Sequence, residues 1–338
     1  MKCVEIVATT GIEGLRLAER ATPKVGPRQV LVRIRAASLN YRDVMILSGN
    51  YARGVNLPRI PLSDGAGEIV EIGSDVTRVK IGDRVCGTFF QRWLTGPVFP
   101  EIQDAALGGT AEGVLTEYAL LEGDGVVRFP EHLSFAEAAT LPCAGLTAWH
   151  GLFEAGGLKA GDTALFLGTG GVSVLGMQLA RAAGARAIIT SSSDEKLARA
   201  KQLGASDTIN YAKNSQWAAT VREITAGRGV DCTLDVAGGA ATKGALEALR
   251  HGGHLAIIGG RSGPGGELDR RFVLQKGLRV TGINVGSRAM FEAMNRAFTV
   301  SGIRPVVDRT YELKDSVAAY RDFLTGKHFG KIAITLPD

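Results

Sequence analysis

Residues 163–196, TALFLGTGGVSVLGMQLARAAGARAIITSSSDEK, hold the pattern that most narrows what this chain folds into. The apolar run at 164–167 has the composition of a strand buried on both faces. It leads into Gly168, Thr169, Gly170 and Gly171, then into an amphipathic stretch from Val172 to Ala183. Gly184 follows, where a helix end favours left-handed backbone, and 186–190 is a second apolar run. Strand, glycine turn, helix, strand is the arrangement that lays a pyrophosphate across a helix N-terminus. There the free N–H groups and the helix dipole favour an anion.

Glycines alone also mark ordinary turns, so the order of elements carries the weight. One departure is Ser173, at the position where the fingerprint has a third glycine for close helix–strand packing. Serine is small enough to fit. The expectation is a dinucleotide site on a Rossmann doubly wound parallel sheet; the alternative is a flavodoxin-like or other doubly wound unit without a dinucleotide. The end of the second strand discriminates between nucleotides. An NAD site carries Asp or Glu there, about 20 residues on, for the ribose 2′-hydroxyl. This chain has Ser191, Ser192 and Ser193, with Lys196 one turn further. Hydroxyls and a cation suit a 2′-phosphate, so the cofactor expected is NADP(H). Asp194 and Glu195 fit a helix start, with Ser192 and Glu195 forming a capping box.

A chain of 338 residues is long for one core and points to two domains. The net charge of +5, with no run of five basic residues, gives nucleic-acid binding little support and suits a polyanionic cofactor. No segment reaches the ~18 apolar residues of a membrane span, and the start, MKCVEIVATTG, has no signal-peptide pattern. Cys3, Cys86, Cys143 and Cys232 are scattered without metal spacing, which fits reduced thiols in a cytoplasmic protein.

Residues 1–126 are β-rich, with alternation at 30–34 and 67–72 and a turn at Gly82, Asp83 and Arg84. From about residue 126 the pattern becomes βα. Ser134 and Glu137 form a capping box, and strands are expected at 207–210, 230–236, 254–259 and 278–284 with helices in most gaps. The tail holds a helix around 315–324 and a last strand at 331–335, expected to return to the β-rich part. The domains expected are therefore 1–126 with 301–338, and 127–300.

The segments SLNYRDVMILSGNY (38–51), IPLSDGAGEIVEIGSDVTRVKIGDRV (60–85), LPCAGLTAWHGLF (141–153) and GTGGVSVLGMQLARAAGA (168–185) together resemble the medium-chain dehydrogenase/reductase superfamily. The resemblance covers essentially the whole chain and implies a β-rich GroES-like catalytic domain beside the Rossmann domain. It is nearer to the zinc-free quinone oxidoreductases and enoyl reductases than to the zinc alcohol dehydrogenases. Zinc members have Cys-His-Thr-Asp where this chain has Asn40, Tyr41, Arg42 and Asp43, and Gly-His-Glu where it has Leu62, Ser63 and Asp64. Of the ligand positions only Cys143 keeps a cysteine, and residues 89–113, which match the lobe of four structural cysteines, have none. No metal is expected, since zinc needs three or four ligands. Cys143 is then a packed thiol near the nicotinamide.

Without a Lewis acid, hydride addition to an activated double bond is the reaction expected, with hydrogen-bond donors meeting the charge on the carbonyl oxygen. The resemblance implies that Asn40 holds the nicotinamide or donates to substrate oxygen; alternatively its amide bonds local backbone. Tyr51 matches the proton donor of mitochondrial-type enoyl reductases; alternatively it is a loop tyrosine packing by its ring. Tyr41 is expected to line the pocket and Arg42 to pair with Asp43 or Asp64. The long connection 89–111 suggests a functional loop, with Phe89, Phe90, Trp93 and Phe99 either walling the pocket or packing in the core.

The family pattern puts Thr147 and Asn284 at the nicotinamide end, Gly259 and Gly260 over the cofactor, Tyr211 near the adenosine phosphate, and Lys331 within reach of the cofactor cleft. His132, His150, His251, His254 and His328 form no motif. The reading is an NADPH-dependent reductase that transfers a hydride to a quinone or an α,β-unsaturated carbonyl (enone), with a small-molecule carbonyl, quinone or enone as its partner. The alternatives are a zinc-independent alcohol or carbonyl oxidoreductase and a non-catalytic NADPH-binding protein. The last strand of the parallel sheet, 278–284, is expected to be an edge that pairs in a homodimer.

Overall fold

β1 (Lys2–Ile6) and β2 (Leu15–Glu19) pair antiparallel at the start of the chain. The alternating residues at 30–34 and 67–72 then lie in two long strands, β3 (Gln29–Ser38) and β4 (Asp64–Ile72), also antiparallel. Alternation works because successive side chains leave opposite faces of a strand, so Val30, Val32 and Ile34 share one face and are almost wholly buried. β5 (Arg84–Gly87), β6 (Tyr118–Glu122) and β7 (Val126–Arg128) extend this sheet, β6 pairing with β3 and β7 with β5. The computed structural model describes residues 1–51, 53–259 and 268–337.

The βα half forms a six-stranded parallel sheet of β8 (Thr163–Phe166), β9 (Arg186–Ser191), β10 (Asp207–Asn210), β11 (Val230–Asp235), β12 (Leu249–Ile257) and β13 (Arg279–Gly282). Their spatial order is β10-β9-β8-β11-β12-β13, so the winding reverses beside β8. Ligands of doubly wound sheets bind outside the carboxyl ends of the strands at such a reversal. The chain ends with β14 (Val307–Glu312) and β15 (Lys331–Thr335); β15 pairs antiparallel with β3, bringing the expected last strand back to the β-rich sheet.

The chain divides into Met1–Leu146 with Val285–Asp338, and Thr147–Asn284. Residues 127–146 and 285–300 thus belong with the β-rich unit, where the sequence reading put them with the other. The reason is packing by the helix Arg288–Ser301: Asn295 Nδ2 donates to Arg128 O (2.8 Å), Arg288 pairs with Asp124 (2.9 Å) and Arg78 with Glu292 (2.8 Å). Ser134 and Glu137 form the expected capping box, and Gly184 ends its helix at φ 79°. β12 starts five residues before the expected strand at 254 and β13 is shorter than expected.

In the parallel unit Asp231 ties three elements together. Its carboxylate accepts from Thr163 N (2.8 Å), from Arg228 twice (2.7 and 2.8 Å) and from Arg250 Nε (2.5 Å). Burial alone would raise this carboxyl, but the two guanidiniums and the amide outweigh it and hold it at about 2. A depressed carboxyl stabilises the fold above its unfolded value near 4 and loses that contribution as pH falls towards 2. The shift corresponds to about 2 kcal/mol. Urea unfolding should therefore weaken more between pH 4 and pH 2 in the wild type than in Asp231→Asn; equal slopes would contradict the assignment.

Candidate functional site

The turn after β8 is built as the sequence suggests. Gly168 has φ 78°, a left-handed conformation that other residues adopt only with strain, and its N–H donates to Thr190 Oγ1 (3.2 Å). Gly170 caps the helix Gly171–Ala182 with ordinary extended backbone, and a Cβ built there meets nothing within 4 Å. Space is thus left open at a helix N-terminus where Gly171 and Val172 are partly exposed. Ser173 is fully buried and its hydroxyl donates back to Leu167 O (2.8 Å). The close helix–strand approach falls one turn later, at Gly176, where a Cβ would stand 2.8 Å from the Phe166 ring.

The serines after β9 do three different things. Ser191 is buried; its Oγ lies 3.5 Å from Thr169 Oγ1 and accepts from Ser193 N (3.3 Å), so it braces the glycine turn. Ser193, not Ser192, caps the helix Asp194–Gln202, accepting from Lys196 N (3.3 Å), so the expected Ser192–Glu195 box does not form. An N-cap bonds the N–H two or three positions on, and the strand runs one residue longer than expected, shifting the cap. Ser192 is exposed and Lys196 partly so. The nearby acid, Asp194, is held by Lys213 Nζ (2.5 Å) and Asn210 Nδ2 (2.6 Å), whose hydrogen bonds lower its carboxyl. Sequence reasoning missed Lys213, because nothing in its spacing marks it as a neighbour of the β9 tip.

Tyr211 stands beside that tip, its N–H donating to Ser191 O (3.1 Å) and its side chain exposed. Gly259 follows β12 and donates to Asp235 O (3.3 Å); Gly260 lies outside the described residues. Asn284 is exposed just after β13, and Thr147 is 3% exposed. His254, buried 3.6 Å from Cys232 Sγ, is pushed down to about 4 by burial and by Arg279 and His150, so it stays neutral at pH 7.

A second cluster of buried polar groups lies in the β-rich unit, at the end of β3. Asn40 starts the helix Tyr41–Leu47, and its backbone N–H donates to Asp43 Oδ2 (2.7 Å). Lys331, the first residue of β15, is 3% exposed; its Nζ donates to Leu39 O and Asn40 Oδ1, each at 2.5 Å. The cofactor-binding reading of Lys331 meets an amine already engaged inside its own unit. Asn40 Nδ2 is buried and has no hydrogen-bond partner. Burial pushes the Asp43 carboxyl up to about 6 against the pull of the Arg42 guanidinium, which lies 3.7 Å away as the expected ion pair. Asp64 accepts from Ser63 Oγ (2.6 Å) and Cys143 N (3.0 Å), and burial with the Asp64 charge raises the Cys143 thiol to about 12. Leu62, at the family's glycine position, keeps a left-handed φ of 69°.

Arg42 joins this group to Tyr51. Its guanidinium lies over the Phe89 ring (4.3 Å) and the Tyr51 ring (5.7 Å), and it donates to Leu107 O. The Tyr51 ring is partly buried against the core. Phe89, Phe90 and Trp93 are buried and pack on one another, so these three serve the core, while Phe99 is 55% exposed. Tyr41 is 42% exposed. Among the described residues no three His, Cys, Asp or Glu side chains gather as a metal site, and no helix is long and apolar enough to cross a membrane.

Residues 26–131 match the family model described as alcohol dehydrogenase GroES-like domain, and residues 171–299 the model described as zinc-binding dehydrogenase. A zinc-type alcohol dehydrogenase-like protein of Schizosaccharomyces pombe is 40% identical over 97% of this chain and 96% of its own length. A quinone oxidoreductase of Pseudomonas aeruginosa is 31% identical over 98% of this chain and 99% of its own. Among solved structures, an NAD-dependent alcohol dehydrogenase superposes with a TM-score of 0.91 at 31% identity, covering 100% of both chains. With a GroES-like β unit, a doubly wound sheet and full-length relatives of this kind, the chain belongs to the medium-chain dehydrogenase/reductase superfamily of nicotinamide-dinucleotide oxidoreductases.

Proposed function

We propose that the chain is a metal-independent, NADPH-dependent reductase of quinones or α,β-unsaturated carbonyls. The observation that carries this reading is the buried, unpartnered Asn40 Nδ2, a donor suited to a carbonyl oxygen at a position where zinc relatives have a ligand. Bound NADPH would supply the hydride. The charge that then forms on the carbonyl oxygen needs a hydrogen-bond donor, which Asn40 offers, and the carbon or oxygen needs a proton, which the Tyr51 hydroxyl offers. Gly168, Thr169, Gly170, Gly171 and Val172 would hold the pyrophosphate, with Ser192, Lys196 and Tyr211 around the 2′-phosphate.

The donor set does not suit zinc. At the matching positions Asn40 is held by Lys331, the Cys143 thiol is pushed towards its protonated form, and both Asp64 oxygens already accept hydrogen bonds. The names of the yeast relative and of the NAD-dependent neighbour favour a second reading, an alcohol oxidoreductase. NADPH absorbance followed across quinones, enones, aldehydes and enoyl thioesters, with and without chelator, tests both. Quinone or enone turnover untouched by chelator is expected. Alcohol-driven NADP reduction in its place would overturn the substrate class, activity lost with chelator would overturn metal independence, and binding without turnover would make the chain a non-catalytic NADPH binder.

Cofactor choice has its own test. Lys196→Ala should weaken NADPH binding by about 10- to 100-fold, the loss of one charged hydrogen bond, and leave NADH binding nearly unchanged. Equal losses would remove the 2′-phosphate assignment. For assembly we propose a two-fold dimer through β13, the outer strand of the described parallel sheet, since an open strand edge invites pairing. Light scattering at micromolar concentration should give twice the chain mass; a monomer refutes it. The four cysteines are free, in keeping with a reducing compartment such as the cytoplasm.

A further inference from the structure

Lys331 and Asn40 are 291 positions apart in sequence, and a strand pairing brings them together. β15 runs antiparallel to β3, with Ala333 opposite Ser38 and Leu39 N donating to Ile332 O (3.1 Å). Lys331 therefore starts its strand beside Leu39 and Asn40, and its side chain spans both. An amine at the end of a lysine has donors and no acceptor. The Asn40 side-chain atom 2.5 Å from Nζ must then be the amide oxygen, and the amide nitrogen faces the other way. The backbone of Asn40 is fixed as well, by Asp43 Oδ2 on its N–H. One group on this residue is left unmatched: Nδ2, buried with no partner on a residue only 8% exposed. A buried donor without an acceptor is costly unless a ligand completes it.

We propose that Lys331 is a positioning residue: by holding Asn40 Oδ1 it fixes the amide so that Nδ2 presents its N–H to a carbonyl oxygen of the bound ligand. The proposal rests on the reductase reading for the reaction concerned. The carbonyl belongs either to the substrate or to the carboxamide of the nicotinamide, and the experiment separates them. With its Nζ held by Leu39 O and Asn40 Oδ1, Lys331 is expected to act through Asn40.

Wild type, Lys331→Met, Asn40→Ala and the double variant are compared on 1,4-benzoquinone with NADPH, alongside NADPH dissociation constants from fluorescence quenching. Lys331→Met should lower kcat/KM or NADPH affinity by about 10- to 100-fold, and Lys331→Gln, which keeps an N–H donor, should recover part of the loss. In the Asn40→Ala background Lys331→Met should add less than about twofold. Losses in NADPH affinity assign the carboxamide, and losses confined to kcat assign the substrate carbonyl; multiplying effects in the double variant overturn the proposal. A further readout does not depend on turnover. In 15N-labelled protein the side-chain amide pair that disappears in Asn40→Ala should shift in Lys331→Met. If that pair stays in place, Lys331 does not orient the amide, whatever the substrate is. If the pair shifts but neither a quinone nor an enone is turned over, the reductase reading fails and the positioning stands.

Discussion

Tyr51→Phe is expected to lower turnover by roughly 10²–10⁴-fold on the best quinone or enone substrate, with NADPH affinity preserved. The ring of Tyr51 already has a packing role, against the core and over the Arg42 guanidinium at 5.7 Å. Phenylalanine keeps both of those contacts, so the unfolding midpoint should hardly move. What it removes is the hydroxyl, the group proposed to deliver the proton after hydride transfer. A slower reaction in heavy water for the wild type, and a smaller solvent isotope effect in the variant, would accompany the loss. A drop below about tenfold would mean that water supplies the proton and that Tyr51 only shapes the surroundings.

Gly170→Val should abolish useful dinucleotide binding while leaving the fold intact. Gly170 has φ −81° and ψ −177°, backbone that valine adopts readily, and a Cβ there meets no protein atom within 4 Å. The side chain would instead fill the space proposed for the pyrophosphate. Losing two hydrogen bonds from backbone N–H to phosphate corresponds to about 3–6 kcal/mol, a fall in affinity of at least about 100-fold. Gly168→Ala makes the contrast, since its φ of 78° is left-handed. That variant should lose stability, by about 1–2 kcal/mol, before it loses affinity. Affinity for NADPH retained within about threefold in Gly170→Val would mean that the phosphates lie elsewhere.

The local pattern of the chain determined the elements and the class of fold. Apolar runs of four to six residues followed by glycine and then by helical periodicity gave β8, the turn and the helix Gly171–Ala182 to within a residue. The left-handed glycines, the Ser134–Glu137 box and the alternation along β3 and β4 depend only on neighbours within a few positions, so they are written in order along the sequence. The tertiary structure alone decided which polar groups are already engaged. Nothing near Lys331 shows that its amine is taken by Leu39 and Asn40, because that pairing is set by strand register between the two ends of the chain. Nor does the run of serines show that Ser191 turns inward to brace the glycine turn and Ser193 caps a helix, leaving Ser192 outward. The unit boundary moved for the same reason: the helix Arg288–Ser301 carries an ordinary amphipathic pattern, and only its hydrogen bonds to Asp124 and Arg128 say which sheet it serves. Periodicity records which face of an element is buried; it carries no record of the distant partner buried against it.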